Sequence, residues 1–284
     1  MNSATYDETG AYVESQLVPQ VITENDLQCL RRAYFVLEHP SFAARLSNAI
    51  GTPVEVALDV LPVNWSRKVH QQVQRVLMGS LRAAVSSLRP EPEEPGNSRA
   101  SFYQSMIAGS GAMGGLLGLP GLAIELPVTT TLMLRSIAEI ARAEGENIHD
   151  ADTQAACMQV FALGGLSATD DAADTGYYGV RLAMASYMTS AVEYIAQHGL
   201  SGQAAPALVK FIQLIARSFG VALSQRAAAQ VVPVVGAAGA ATVNVIFLKH
   251  FQRMAQAHFT VRRLERKYGS SFIRSQFELF DVEA

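Results

Sequence analysis

Charged residues are scarce in this sequence, and neither sign dominates. Only 17% of the 284 residues are Asp, Glu, Lys or Arg, against about 25% in ordinary soluble domains. The 22 basic and 25 acidic residues leave a net charge of −3. A chain without a basic excess lacks the electrostatic footprint of a nucleic-acid-binding protein, so we expect no nucleic-acid partner. Hydrophobic residues make up 49% of the chain, which points to a large core or to a membrane.

Cysteine is nearly absent, and the start of the chain has no apolar leader. Cys29 and Cys157 show neither CxxC nor Cys/His spacing, so we expect two reduced thiols and no metal or cofactor. The opening residues, MNSATYDETGAYVE, are polar and acidic, whereas a signal peptide is basic and then apolar. These features predict a bacterial protein of the cytoplasm without a signal peptide.

Alternating strand patterns and fixed-period repeats are also absent, whereas apolar residues recur at helical spacing. The sequence therefore predicts an all-α, multi-helix bundle. It predicts helix ends at Gly145, Gly220 and Gly269, because glycine readily adopts the left-handed conformation that terminates a helix. We expect four regions: a flexible N-terminus at 1–20, an N-terminal amphipathic helical region at 21–89, a Pro/Glu-rich linker at 90–98 and the main helical body at 99–284.

Two Gly/Ala-rich apolar segments, 106–140 and 227–248, dominate the main body. Small residues four apart allow close approach of a second helix backbone. Prolines interrupt both segments, which leaves a re-entrant hairpin, a membrane-surface unit and a buried core as alternatives. The residues that we expect to mediate helix packing are Gly111, Gly114, Gly115, Gly118, Gly236, Gly239 and Asn244.

Basic residues concentrate in two stretches, the helix predicted over 65–88 and the stretch 253–267. Each pattern fits an ordinary solvated or internally paired face. Each also fits a basic surface that rests on anionic lipid headgroups. The candidates for lipid contact are Lys68, Arg75, Arg82, Arg89, Arg253, Arg262, Arg263, Arg266 and Lys267.

Several ordered motifs resemble the EcsC family. They are the stretch 124–146, which begins IELPVTTTLMLRSIAEIAR, the segment VFALGG at 160–165, Tyr177-Tyr178, PVVGAAG at 233–239 with Asn244, and His250-Phe251 with AHFTVRRLERKYG at 257–269. The resemblance covers roughly residues 30 to 270 of the chain. The family takes its name from a protein encoded beside the subunits of an ABC transporter, and it supplies no accepted catalytic residues. Some members carry a peptidase label, but no HExxH or GxSxG motif supports it here.

Two sets of carboxylates are candidates for chemistry. Glu125 lies between prolines in an apolar stretch, where a lone charge is costly unless it is paired or functional. We expect it to pair with Arg135 or with another basic residue such as Arg181, or else to act in a site with Arg135 and Glu139. The second set, a DDxxD pattern that could bind Mg²⁺ or simply cap a helix, comprises Asp170, Asp171 and Asp174.

The sequence leads us to favour a non-enzymatic helical protein at the inner face of the cell membrane. The family resemblance implies a role as an accessory to an ABC-type transporter. Its partners would be the membrane surface or a membrane protein, with self-association also open. The alternative is a soluble all-α enzyme, a hydrolase or Mg²⁺-dependent, with a carboxylate-centred site. A third alternative is an interaction scaffold. The sequence identifies no small-molecule ligand, reaction or substrate.

Overall fold

The computed structural model describes residues 21–39, 41–59, 61–87, 106–107, 125–165, 176–198, 206–231 and 236–283. These residues contain helices and no strand, which confirms the all-α prediction. The helices are α1 (Glu24–Glu38), α2 (Phe42–Ile50), α3 (Val54–Leu58), α4 (Trp65–Ser87), α5 (125–143 as described), α6 (Ala151–Leu163), α7 (Gly176–His198), α8 (Pro206–Val231), α9 (Gly236–Tyr268) and α10 (Ser270–Glu283).

Local sequence signals determine several helix ends. The Thr23 hydroxyl accepts a hydrogen bond from the Asp26 amide at 3.2 Å, and this contact satisfies a free N–H in the first turn of α1. Gly145 follows α5 with φ 83°, and Gly269 separates α9 from α10 with φ 92°. Only glycine adopts these dihedral angles without strain. The predicted ends at Gly145 and Gly269 are therefore confirmed.

The predicted end at Gly220 is wrong, because α8 continues through this residue to Val231. A glycine inside a helix costs about 1 kcal/mol relative to alanine. The neighbouring Phe219, Ala222 and Leu223 are buried in the core, and their packing outweighs that cost. The apolar run 227–248 is also divided between two helices, with its first residues in α8 and its last in α9.

Helices α8 and α9 form the centre of the described fold. α8 packs against α3, α4, α6, α7 and α9, while α9 packs against α1, α2, α6, α8 and α10. α6 lies between them and is buried on all sides, since every residue from Thr153 to Leu163 is buried. α6 is therefore the inner helix of this part of the fold, and its buried residues include the polar side chains of Thr153, Gln154 and Gln159.

Within the described residues, no helix has both the length and the hydropathy that a bilayer crossing requires. Several sequence predictions concern residues outside the described ranges. They are the N-terminus at 1–20, the linker at 90–98, Arg89, the glycines Gly111, Gly114, Gly115 and Gly118, and the acidic residues Asp170, Asp171 and Asp174.

Candidate functional site

The outer face of α4 is a basic strip. Lys68, Arg75 and Arg82 are all exposed, and their spacing of seven residues places them nearly in line, two turns apart. Arg67 is exposed beside this line, and the helix contains no Asp or Glu. Positive charge is therefore concentrated on one side of a protein whose net charge is −3.

The inner face of α4 fixes the direction of the basic strip. Its buried residues pack against α8 and orient the helix. Lys68 and Arg75 form no ion pair with any described residue. Lys68 and Arg75 are thus available to an external anion. The residues of the inner face are Val69, Val73, Val76, Leu77, Leu81 and Ala84.

A buried polar cluster connects α5, α8 and α9. Arg226 of α8 is 0% exposed, and its Nη2 forms an ion pair with Oε1 of Glu125. Its Nε donates to Oδ1 of Asn244 at 2.7 Å, and Asn244 Nδ2 donates to the same Glu125 oxygen at 2.9 Å. Each of the three side chains therefore contacts the other two, and together they join three helices.

Further contacts surround this triad. The Thr129 hydroxyl donates to Glu125 Oε1 at 3.2 Å, and the Arg226 guanidinium carbon lies 5.2 Å from the centre of the Phe247 ring. Burial lowers the pKa of Arg226, while the Glu125 charge opposes this shift, and the guanidinium remains protonated. Glu125 Oε2 and Arg226 Nη1 are buried, and neither has a hydrogen-bond partner among the residues that the structure describes.

The structure does not gather the three predicted catalytic candidates into one site. Arg135 and Glu139 lie one turn apart on α5, with Arg135 Nε 4.0 Å from Glu139 Oε1. Glu125 does pair with a basic residue, but its partner is Arg226 and not Arg135 or Arg181, the two arginines that the sequence suggested. A signal for Arg226 does exist in the sequence, since it is the only charged residue between 218 and 248.

The cations at the end of α9 are paired with acids of the α5–α6 turn and of α6. Arg262 Nε lies 2.8 Å from Glu146 Oε1, and its Nη2 lies 2.6 Å from Asp152 Oδ2. Arg266 forms a second ion pair with Glu146. Burial raises the pKa of Glu146, but the hydrogen bonds and charges of both arginines lower it overall. This end of α9 is therefore held by ion pairs within the chain.

Asp26 at the start of α1 binds the same face of α9. Its carboxylate receives Lys267 Nζ at 2.7 Å, the Tyr268 hydroxyl at 2.8 Å and Arg263 Nη1 at 3.3 Å. The hydrogen bond from Lys267 is the main cause of a strongly lowered Asp26 pKa, and burial opposes it. Arg263 also lies 2.7 Å from Glu144 through its Nε.

A third polar cluster, which the sequence did not predict, lies between α7 and α9. Arg181 makes two parallel contacts with the Glu265 carboxylate, at 2.7 and 2.9 Å, and donates to the Tyr177 hydroxyl at 3.2 Å. That hydroxyl lies 2.9 Å from Nδ1 of His258. Burial lowers the pKa of His258 well below its ordinary value, and the charges of Arg181 and Arg262 add to this shift. His258 is therefore neutral at pH 7.

The other core histidine, His250, also has a structural contact. Its Nε2 lies 2.7 Å from the carbonyl of Gly164, and its ring stacks on Phe42. Burial lowers the pKa of His250 to about 4. Among the described residues, no group of three His, Cys, Asp or Glu side chains has an arrangement that could hold a metal ion.

Comparison with known proteins gives one match. No curated protein and no solved structure matches the chain significantly. The model of the EcsC protein family matches residues 24–264, which span α1 to most of α9. This match confirms the resemblance seen in the sequence motifs. The chain therefore belongs to the EcsC protein family.

Proposed function

We propose that the protein is a non-enzymatic peripheral membrane protein that lies on the anionic inner face of the cell membrane through the outer face of α4. The observation that carries this proposal is the exposed basic strip. It comprises Lys68, Arg75 and Arg82 on a helix without a single acidic residue. An anionic bilayer would supply counter-charge to Lys68 and Arg75, which form no ion pair with a described residue.

The expected strength of this contact follows from the number of cations. A Lys or Arg near an anionic lipid surface contributes about 1 kcal/mol. The three aligned residues Lys68, Arg75 and Arg82 would therefore contribute about 3 kcal/mol, or roughly a 150-fold change in the partition constant. Such binding is electrostatic, so it should weaken steeply as the salt concentration rises.

The end of α9 supports this function less well. Its cations already bind acidic side chains within the chain, as Arg262 does with Glu146 and Asp152. A lipid headgroup would have to displace these carboxylates or add to a nearly balanced cluster. Of the two predicted basic stretches, α4 therefore carries the proposal.

An accessory role at an ABC-type transporter is the finer form of this proposal, and it stems from the family resemblance. Such a role requires that the protein first reach the membrane surface. We propose that α4 provides this attachment, and that a transporter would be recognised by other surfaces of the chain. Co-purification with a transporter from detergent-solubilised membranes tests this finer form separately.

The experiment is co-sedimentation of the purified protein with vesicles of phosphatidylglycerol and phosphatidylcholine. The test variant is K68Q/R75Q/R82Q, which removes the three aligned charges. The matched control is R32Q/K249Q/R274Q, which removes three exposed cations from α1, α9 and α10. Both variants change the net charge from −3 by the same three units.

We expect the wild type and the control to bind vesicles rich in phosphatidylglycerol. Neither should bind vesicles of pure phosphatidylcholine. The α4 variant should bind the anionic vesicles roughly 150-fold more weakly. Equal losses in the two variants would mean that net charge matters and the α4 face does not. Absence of wild-type binding at low salt would overturn the proposal.

A further inference from the structure

A groove runs between α6, α7 and α9, and none of its described lining residues belongs to α4. Its volume is about 420 Å³, within the range of about 300 to 1,000 Å³ that is usual for small-molecule sites. Side chains of both polar and apolar character line it. They are Asp152, Gln159, Arg181, Ala185, Met188, Thr189, Val192 and Arg262.

Two arginines present hydrogen-bond donors that the protein leaves unused. Arg262 binds Glu146 and Asp152 through Nε and Nη2, but its Nη1 donates to no described atom. Arg181 binds Glu265 and Tyr177 through Nη1 and Nη2, and its Nε is likewise unused. Neither atom is a buried atom without a partner, so both remain accessible to a ligand. The acids hold the two guanidinium groups in place and thus pre-organise the donors.

Gln159 supplies an independent indication of a ligand. It lies on the inner helix α6 and is only 2% exposed, yet its amide forms no hydrogen bond with a described residue. Buried polar groups nearly always have a partner. The amide is not closed off from solvent, and the residue lines the groove. Its partner is therefore expected in the groove itself.

One wall of the groove is apolar. Ala185, Met188 and Val192 follow one another at the spacing of a single helix face on α7. Met188 and Val192 are half-buried, and Ala185 is exposed. The groove thus combines a polar end with an apolar wall, and Asp152 is the one carboxylate among its described lining residues.

We propose that this groove binds a small amphiphilic carboxylate. Arg262 Nη1, Arg181 Nε and the Gln159 amide would hold its carboxylate oxygens. Met188 and Val192 would contact its apolar body. The proposal is independent of membrane docking through α4.

The local charge balance distinguishes this site from α4. Arg181 is paired with Glu265, and Arg262 with Glu146 and Asp152. The groove therefore attracts an anion through oriented donors rather than through a net positive field. Binding should consequently change little with salt, whereas the binding of α4 to vesicles should fall steeply.

The experiment is isothermal titration of the full-length protein with decanoate below its micellar concentration. Decanol keeps the chain length and removes the charge, while butyrate keeps the charge and shortens the chain. We expect saturable binding of decanoate, with decanol and butyrate each at least tenfold weaker. The variant K68Q/R75Q/R82Q should bind decanoate as the wild type does. The proposal for the groove and the proposal for α4 are thereby tested separately.

Charge substitutions at the groove are the second part of the experiment. Thr189 lines the groove and is exposed, so its replacement should not disturb folding. T189E should weaken decanoate binding and T189K should strengthen it, each about threefold to tenfold, because a charge a few ångströms away acts on the carboxylate. The matched controls are L182E and L182K, at a residue of the same helix that is 70% exposed and does not line the groove. These should leave the affinity unchanged.

The proposal is overturned if decanoate shows no saturable binding, or if decanol binds as tightly as decanoate. It is also overturned if T189E and T189K leave the affinity unchanged or shift it in the same direction. A loss of decanoate binding in L182E equal to that in T189E would place the site elsewhere on α7. Opposite shifts at Thr189 with none at Leu182 support it.

Discussion

The outer face of α4 and the C-terminal end of α9 carry similar amounts of positive charge, but they differ in whether acidic side chains pair with it. α4 has four cations and no acidic residue, and its aligned Lys68 and Arg75 have no ion-pair partner among the described residues. On α9, Arg262 and Arg263 bind the carboxylates of Glu146 and Glu144. Helices of similar composition thus differ in structure: two cations of α4 lie exposed without an ion pair to a described residue, whereas those of α9 lie in ion pairs within the chain.

The difference shows that the role of a run of basic residues can be inferred only when the positions of the acidic residues around it are known. Breaking an exposed ion pair costs little stability, whereas removing one partner of a buried pair costs more because it leaves the other charge unpaired. The Glu146 side chain is 7% exposed and contacts two arginines. The end of α9 should therefore matter for folding, and α4 should matter for binding.

The largest effect on stability is expected for Arg226, a cation that is wholly buried. R226M removes the charge that Glu125 and Asn244 both contact. It leaves a buried carboxylate unpaired, which should lower the free energy of unfolding by about 3 to 5 kcal/mol. Urea denaturation measures this loss. The double variant E125Q/R226M should recover part of it, and no recovery would mean that the pair is not coupled.

The next effect is expected at the acid partner of α9. E146Q removes the carboxylate that Arg262 and Arg266 share. It should lower the free energy of unfolding by about 2 kcal/mol, since hydrogen bonds to charged groups contribute about 1.5 to 3 kcal/mol. The control E278Q breaks the exposed pair with Arg274, in which each side chain is 53% exposed. It should cost at most about 1 kcal/mol, the upper range for exposed pairs, and equal losses in thermal or urea unfolding would contradict the distinction.

A smaller, pH-dependent effect is expected at Asp26. Hydrogen bonds, above all from Lys267, lower the pKa of its carboxyl in the folded state below the ordinary 3.8. The unfolded chain then binds the proton more readily, so the stabilisation is present above about pH 4 and is lost as the pH falls below it. Urea titrations between pH 2 and 7 should show this slope in the wild type. In D26N the slope should be shallower, and an unchanged profile would contradict the role of Asp26.

Much of the fold could be predicted from the sequence because its determinants are local. Apolar spacing predicted the helical class, and the glycines at 145 and 269 predicted two helix ends. Gly220 was misleading, since tertiary packing around Phe219 and Leu223 overrides a weak local preference. Local signals thus identify elements better than they identify where a long, well-packed helix stops.

The polar clusters could not be predicted in the same way, because their partners lie far apart in the chain. Arg226 and Glu125 are separated by 101 residues, and Lys267 and Asp26 by 241. Exposure of Lys68 and Arg75 was easier to anticipate, since the opposite face of α4 is a regular apolar stripe. The sequence thus indicated the orientation of α4 and left internal pairing of α9 as one alternative, but it did not identify the acidic partners.

The most direct test measures vesicle binding and folding stability for variants of both helices. K68Q/R75Q neutralises two cations of α4, and R262Q/R263Q neutralises two of α9. Each variant is assayed for binding to anionic vesicles and for the free energy of unfolding. We predict that the α4 variant binds vesicles roughly 30-fold more weakly with stability within about 0.5 kcal/mol of wild type. The α9 variant should bind normally while folded and lose about 2 kcal/mol or more. Weakened vesicle binding in the α9 variant with unchanged stability would show that the two helices have the opposite roles.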